Sequence, residues 1–303
     1  MAGKGEKLFN VVKVSDGLGN QLFQYAFARK LQLIGKGNVY LDIRYINNED
    51  RIARGEKNIH LKKNDYRLYS LDKFRITVPI ADDKILSGWN YLIPHNQKER
   101  VISAFARSGL WFCQYRDEEK VRNGKLLNSA SLFLNTYFQG YYFNLKYYDD
   151  IRMILQKEFC LKTPLKLSKR LKYVLSFENT VGIHIRRGDF VKLHYSISND
   201  KYYIKAMKRI EELVSDPIYL VFSDDIDWVK KHLKINGTVI YISDMGYKDY
   251  EEFTIMKHCR HDIIANSTFS YWAAYLNQNQ GKNVIYPKTW EKHDIIPDGW
   301  IAM

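Results

Sequence analysis

Val181-Gly182-Ile183-His184-Ile185-Arg186-Arg187-Gly188-Asp189-Phe190 couples an apolar run to a pair of adjacent cations. The β-branched start of this stretch has the content of a buried strand. On a strand, His184 and Arg186 share one face, and Ile183 and Ile185 share the other. Arginine is suited to such a strand end because its planar fork of donors matches phosphate or carboxylate oxygens in bidentate fashion. In an open α/β sheet, ligands bind beyond the carboxyl ends of the strands. The segment therefore predicts an anion clamp at a sheet edge, with Arg186 facing the ligand and Arg187 in the turn. Asp189 is placed to orient an arginine or to act as a base. The plainer alternative is an Arg–Asp pair that only fixes the turn, with His184 a buried histidine.

Outward from this segment the pattern is an alternation. Strands are predicted at Val181–Arg186, Ile218–Phe222, Thr238–Ile242, Asp262–Ala265 and Asn283–Tyr286, and helices at Tyr202–Val214, Ile226–Leu233, Asp249–Lys257 and Thr268–Asn277. Strands that alternate with helices form a parallel, doubly wound sheet. The N-terminal half opens in the same way. Leu8–Val14 is a strand, Ser15–Asn20 a turn, Gln21–Ile34 a helix ended by Gly35 and Gly37, and Val39–Ile43 a second strand. Residues 47–122 are less regular. Leu132–Phe138 reads as a strand and Asp149–Phe159 as a helix. Lys162–Lys169, with Pro164 and no periodicity, is the linker candidate. The fold expected is α/β, with two Rossmann-type halves, 1–165 and 166–303, facing a central cleft.

Three further motifs carry chemistry. The first is Asp16-Gly17-Leu18-Gly19-Asn20-Gln21, at a strand-to-helix turn, where Gly17 and Gly19 admit a close ligand and Asn20 and Gln21 can bond hydroxyls. Leu22 stands at the third glycine position of the dinucleotide fingerprint and Asp42 follows on the second strand, so the match to a nicotinamide site is partial. The second is Ser223-Asp224-Asp225 at the end of an apolar strand. Its carboxylates could accept from ribose hydroxyls or a guanine edge, hold a divalent metal, or cap the next helix. The third is Asn266-Ser267-Thr268-Phe269-Ser270, which enters a helix where hydroxyls and amides can hold phosphate oxygens or simply cap. The aromatic run Tyr137 to Tyr148 reads mainly as core.

Composition narrows the classes. The 303 residues are 46% hydrophobic and 27% charged, enough for a packed core and two domains. No apolar stretch reaches membrane-spanning length. The N-terminal MAGKGEKLFNVVKV lacks a secretory segment, which predicts a cytoplasmic protein. Three cysteines, Cys113, Cys160 and Cys259, are expected as reduced thiols, with no metal-ligand spacing. The net charge of +13 fits an anionic substrate, an anionic membrane surface or nucleic acid. The basic residues are scattered, which disfavours a dedicated nucleic-acid binder.

Taken together, GLGNQLFQYA at the N-terminus, YRLYSLDKF at 66–74, FQGYYFN at 138–144, HIRRGDF, FSDD and ANSTFSYWAAYL resemble the bacterial α-1,2-fucosyltransferases of glycosyltransferase family 11. The resemblance covers nearly the whole chain. Tyr142 stands where the family version of the third motif, Gly-Tyr-Trp-Gln, has tryptophan. The resemblance implies a GT-B-like fold and inverting transfer of L-fucose from GDP-β-L-fucose to the 2-hydroxyl of a terminal galactose. It implies no metal or other cofactor. The acceptor would be a galactose-terminated oligosaccharide or lipid-linked glycan, made at the bacterial inner membrane with peripheral contact to anionic lipid, as in O-antigen biosynthesis. The N-terminal half would bind acceptor, with Gly17, Gly19, Asn20 and Gln21 at the cleft. By motif, Arg186 would hold the diphosphate with Arg187 nearby. His184, Asp224 and Asp225 would sit near the guanosine, and Asn266, Ser267, Thr268 and Ser270 near the phosphates. Asp189, Asp16 and His184 are the candidates for an acceptor base. A different, metal-dependent nucleotide-sugar transferase using Asp225 and Asp227 is the competing reading.

Overall fold

A computed structural model of the chain describes residues 8–35, 37–46, 68–87, 89, 101, 104, 114–118, 121, 135–188, 200–290 and 293–303. Cys113, Asp189 and Phe190 lie outside these residues. The chain divides into two compact units, Met1–Asp72 with Ile76–Ile154, and Lys73–Arg75 with Leu155–Met303. The division falls at 154/155, ahead of the 165/166 read from the linker composition. Its cause is aromatic packing: Phe159 meets Phe74 and Trp272 edge-on, at 6.3 and 5.5 Å. Backbone bonds from Arg75 to Cys160 and from Lys162 to Lys73 hold the same segment. Among the described residues no helix is long and apolar enough to cross a membrane.

In the first unit, strands β1 (Phe9–Lys13), β2 (Asn38–Asp42), β3 (Gln114–Asp117) and β4 (Thr136–Gln139) form a parallel sheet in the order β2-β1-β4-β3. Helix α1 (Leu18–Leu33) links β1 to β2, and a single turn, α2 (Asp83–Leu86), follows. Helix α1 begins three residues before the expected Gln21. Gly17 is extended, and its carbonyl accepts from the amides of Asn20 and Gln21, so the first turn opens at Leu18. Gly19 and Asn20 are thus helical residues and not turn residues. Leu22, Phe23, Ala26, Phe27 and Leu31 are fully buried, as their spacing predicts. Tyr142 is also fully buried, and its ring stacks on Phe27 at 3.7 Å. The position at which this chain departs from the family motif is therefore a core position.

Helix α3 (Arg152–Glu158) carries the chain across the 154/155 division, and in the second unit α4 (Lys169–Val174) begins at the last residue of the expected linker. Ser168 starts α4 by accepting from the Leu171 amide at 3.1 Å. Strands β5 (Thr180–Ile185), β6 (Ile218–Ser223), β7 (Thr238–Tyr241), β8 (His261–Ile263), β9 (Val284–Tyr286) and β10 (Ile301–Ala302) form one parallel sheet. Helices α5 (Asp200–Leu213), α6 (Ile226–His232), α7 (Asp249–Lys257) and α8 (Thr268–Leu276) connect them. The order is β10-β9-β8-β5-β6-β7. This is the doubly wound arrangement in which the winding reverses between the first and fourth strands, here β5 and β8.

Strand β5 is buried along its whole length, as expected of a central parallel strand. Val181, Ile183 and Ile185 pack with Tyr203, Ala206, Met207 and Ile210 of α5 and Val229 of α6. The other face carries Gly182, because a Cβ there would stand 3.1 Å from Asp262 Oδ1 and 3.2 Å from Cys259 Sγ. Asp262 is fully buried on β8. It accepts one hydrogen bond from Asn277 at 2.9 Å, and its Oδ1 has no partner among the described residues.

Burial raises the Asp262 carboxyl from 3.8 to about 7, against the lowering effects of Asn277 and Lys282. The folded value lies above the unfolded one. As pH rises from about 4 to 7 the unfolded chain gives up this proton while the native chain keeps it, so the group's contribution to stability declines through that window. Thermal unfolding of wild type and Asp262→Asn across this range is the check. The wild-type Tm relative to the variant's should fall between pH 4 and 7 and level off above; a constant difference would contradict the assignment.

Candidate functional site

The carboxyl edge of the second sheet gathers the motifs at its switch point. Register pairs Ile183 of β5 with Ile263 of β8, and Ile185 with Ser223 of β6. Arg186 consequently leaves β5 beside Asp224, and His184 lies on the side toward Asn266 and Ser267. The reading of the sequence placed these residues together, and the fold does so.

The center of the edge is one carboxylate. Asp224 Oδ2 pairs with Arg186 Nη1 at 2.9 Å, and Oδ1 accepts from the Arg187 amide at 2.8 Å. At the next residue, Gly188, a Cβ would stand 2.6 Å from Asp224 Oδ2, so a side chain there would push the carboxylate aside. Arg187 turns aside from Arg186. Its guanidinium lies 3.4 Å from the Trp228 ring centroid, and Nε reaches Asp225 Oδ2 at 3.3 Å. Cation–π contact and ion pair together fix it on α6. Asp225 also accepts from the Trp228 amide at 3.4 Å and so caps α6, the plainer of the roles expected for it. Arg187 and Asp225 thus brace the turn, while Arg186 is paired with Asp224 at the end of β5.

His184 is 5% exposed, its ring tilted against Phe269 at 5.2 Å. Nδ1 has no hydrogen-bond partner among the described residues. A buried polar atom of this kind is uncommon and calls for a ligand or water. Burial, reinforced by the Arg186 charge, lowers its pKa to about 3, so the ring is neutral near neutral pH and a weak base. A ring so placed is a poor acceptor base.

Helix α8 opens at the same edge. Asn266 and Ser267 are buried; Ser267 is the N-cap residue, yet its side chain makes no capping bond. The first amides of α8 and its dipole therefore present positive potential to the switch point. Thr268 is half-buried in the first turn. Ser270 is fully buried and donates to the Ser267 carbonyl at 3.3 Å, so its hydroxyl serves the helix.

One residue at this edge was not anticipated. Glu252, in the first turn of α7, is held near pKa 7 by burial and by Asp249, opposed by a hydrogen bond from Ser243. Ser243 Oγ in turn accepts from the Ser223 amide at the end of β6, at 2.9 Å. The acidic run Asp249-Tyr250-Glu251-Glu252 was legible only as a helix start. Nothing local distinguishes the solvated carboxylates from the one turned inward. Among the described residues no three His, Cys, Asp or Glu side chains gather as a metal site.

The first unit has its own switch point, between β1 and β4. Gln21, expected to meet ligand hydroxyls, is fully buried. It donates to the carbonyls of Asp16 and Leu68 at 2.8 Å and accepts from the Ser70 amide at 3.0 Å. Its polar atoms are consumed in holding two loops, partners 47 and 49 residues distant that no local pattern reveals. Gly17 and Gly19 are likewise absorbed in starting α1. Asp42 is used by Arg44 and by the Tyr137 hydroxyl, at 2.8 Å each, so it is not poised for the ribose of a nicotinamide cofactor. The residue that faces this edge is Asp16. It is a non-glycine with φ of 66°, held by the Ser15 and Tyr141 hydroxyls at 3.0 and 2.7 Å. Left-handed backbone at such a residue carries strain, and strain of this kind concentrates at functional sites.

Comparison with known proteins agrees with this architecture. A family model described as Glycosyl transferase family 11 matches residues 9–301. The O-antigen biosynthesis glycosyltransferase WbnK of Escherichia coli is 30% identical over 96% of this chain and 99% of its own length. The alpha-1,2-colitosyltransferase of Escherichia coli is 28% identical over 97% and 98%. A solved structure of Arabidopsis thaliana FUT1 with GDP superposes at a TM-score of 0.51 and 12% identity, covering 96% of this chain and 73% of that one. At that identity the likeness concerns the fold, and the parallel α/β units are of the GT-B kind. With the family match running through both sheets, from β1 to β10, the chain belongs to glycosyl transferase family 11.

Proposed function

We propose that this enzyme transfers L-fucose from GDP-β-L-fucose, with inversion, to the 2-hydroxyl of a terminal galactose, without a metal ion. The observation that carries the reading is the Arg186–Asp224 pair at the β5/β8 switch point, beside the uncapped start of α8. In the reaction the C1–O bond to the diphosphate breaks and its electron pair leaves with GDP. The acceptor oxygen forms the new bond to C1 and its proton passes to a base. Negative charge grows on the diphosphate. Fixed donors aimed at such charge usually give the largest share of rate enhancement. Arg186 supplies a bidentate cation and α8 its amides, in roles that a metal ion fills in other transferases. Asp224 holds the guanidinium in place before the nucleotide arrives, and Arg187 and Asp225 hold the turn that carries Asp224.

Of the three base candidates, His184 is a weak base and Asp189 lies outside the described residues. Asp16 and Asp189 stay open for that role.

A second donor deserves test because one relative is named an alpha-1,2-colitosyltransferase. Colitose is L-fucose without its 3-hydroxyl. A site built to bond that hydroxyl rejects the deoxy sugar by a factor of about 10⁴ or more, because its polar groups are left unpaired. Turnover of GDP-fucose and GDP-colitose with lactose and other galactosides, with and without EDTA, decides the matter. The proposal expects GDP-fucose to be preferred and EDTA to have no effect. Preference for GDP-colitose, or activity that EDTA abolishes and manganese restores, would overturn it.

Arg186→Ala should lower kcat by more than about 100-fold, and Arg186→Lys should fail to restore it, since a point charge lacks the fork. Near-normal turnover in either variant would contradict the clamp. Gly188→Ala should displace Asp224 and cost roughly 10- to 100-fold in kcat with the fold intact by circular dichroism. Unchanged kcat would show that Asp224 is not the organizing group.

A further inference from the structure

The second unit holds a cavity of about 700 Å³ that the reaction does not use. It lies at the amino edge of the sheet. Each of α4, α7 and α8 ends at that edge before the following strand begins, and the cavity is lined by the ends of all three: Leu175 and Ser176 after α4, Lys257 and His258 at the end of α7, Leu276 and Gln278 at the end of α8. Arg186 and Asp224 stand at the opposite ends of the strands. A strand of about six residues separates the two edges by roughly 20 Å. The cavity is therefore a site apart from the donor's, of a size typical for a small-molecule pocket.

Its lining has two parts. The walls are aliphatic, from Leu161, Leu165, Leu167, Leu175, Ile255 and Leu276. The charged groups are Arg75, Lys172 and Lys257, with His258 beside them; the described lining contains no carboxylate. Lys257 donates to the Phe159 carbonyl at 3.1 Å, and burial lowers its pKa. Arg75 donates to the Leu161 carbonyl at 3.3 Å. Around the cavity, residues 160–177 contain no acidic residue, and Lys162, Lys166, Lys169, Arg170 and Lys172 are all exposed. On the same segment Tyr173 and Phe177 are 66% and 37% exposed, with ring centroids 4.8 Å apart. The first carboxylate beyond it, Glu178, is paired with Arg260. Aromatics beside a cluster of cations are the features of a surface that lies on an anionic bilayer.

We infer that this end of the second unit docks on an anionic membrane surface, with an acyl chain of one phospholipid entering the cavity and its phosphate meeting the Arg75, Lys172 and Lys257 cations. The charge selects the headgroup and the aliphatic walls select the chain. The site would hold the enzyme where a membrane-bound acceptor is presented, yet it takes no part in turnover of a soluble one.

Co-sedimentation with vesicles tests this. The wild type should bind vesicles of equal parts phosphatidylglycerol and phosphatidylcholine, and not phosphatidylcholine alone. Lys166→Glu/Lys172→Glu should weaken binding at least about tenfold. Lys201→Glu/Lys205→Glu, an equal charge change on exposed positions in the first half of α5, away from the amino edge, should leave it unchanged. Leu167→Trp, which fills the cavity, should also weaken it, while turnover on a soluble acceptor stays at the wild-type level in every variant. Should Leu167→Trp lower Tm, the half-buried Leu165→Gln takes its place in the comparison. Equal losses in the two charge-reversal variants would mean that only diffuse charge is at work and would overturn the site. Binding indifferent to phosphatidylglycerol, or full binding by the folded cavity variant, would overturn it as well.

Discussion

The Asp224 carboxylate is the constraint on which the donor edge depends. One oxygen holds the Arg186 guanidinium and the other holds the Arg187 amide, so a single side chain on β6 sets both the cation and the turn that follows β5. Two consequences follow. A side chain at Gly188 would have to displace the carboxylate. Arg187 must point elsewhere, and it finds Trp228 and Asp225. Two arginines and two aspartates thus form a pair of ion pairs at the end of neighboring strands. The pairs are partly exposed, so their worth to folding is small; their value lies in holding a guanidinium in position before substrate binds.

The two ends of the second sheet are suited to different tasks for the same topological reason. In a parallel doubly wound sheet the helices start at the carboxyl edge and finish at the amino edge. The carboxyl edge therefore offers helix N-termini, which favor anions, and here carries Arg186 with the α8 amides. The amino edge offers helix C-termini, which favor cations, and here carries Lys257, His258 and the basic α4 segment. Positive side chains at that end complement the dipoles even before any ligand is considered. The first unit repeats the logic of the carboxyl edge with a carboxylate, Asp16, in place of a cation.

Much of this was legible in the residues. The alternation of strand and helix from Thr180 onward reflects burial on both faces, and a fully buried strand such as β5 leaves little freedom to the pattern. The HIRRGDF run puts its arginines just past the end of β5, where the apolar β-branched run meets the charged pair. What escaped the reading depended on distant partners. Gln21 looks like a ligand residue until Leu68 and Ser70 are brought against it. Asp262 and Glu252 carry perturbed carboxyls whose burial no local pattern states. Helix α4 was missed just past the linker candidate because six residues are too few to show a helical period, although Ser168 followed by Lys169-Arg170-Leu171 holds the cap signal. Strand β10, two residues long, is below what periodicity can resolve.

The most direct measurement of the central claim is a crystal structure of the enzyme with GDP. The account predicts both terminal nitrogens of Arg186 within hydrogen-bonding distance of diphosphate oxygens, Asp224 still bonded to the Arg187 amide, and the α8 amides facing the same phosphates. A diphosphate bound elsewhere, with Arg186 paired to Asp224 alone, would contradict it.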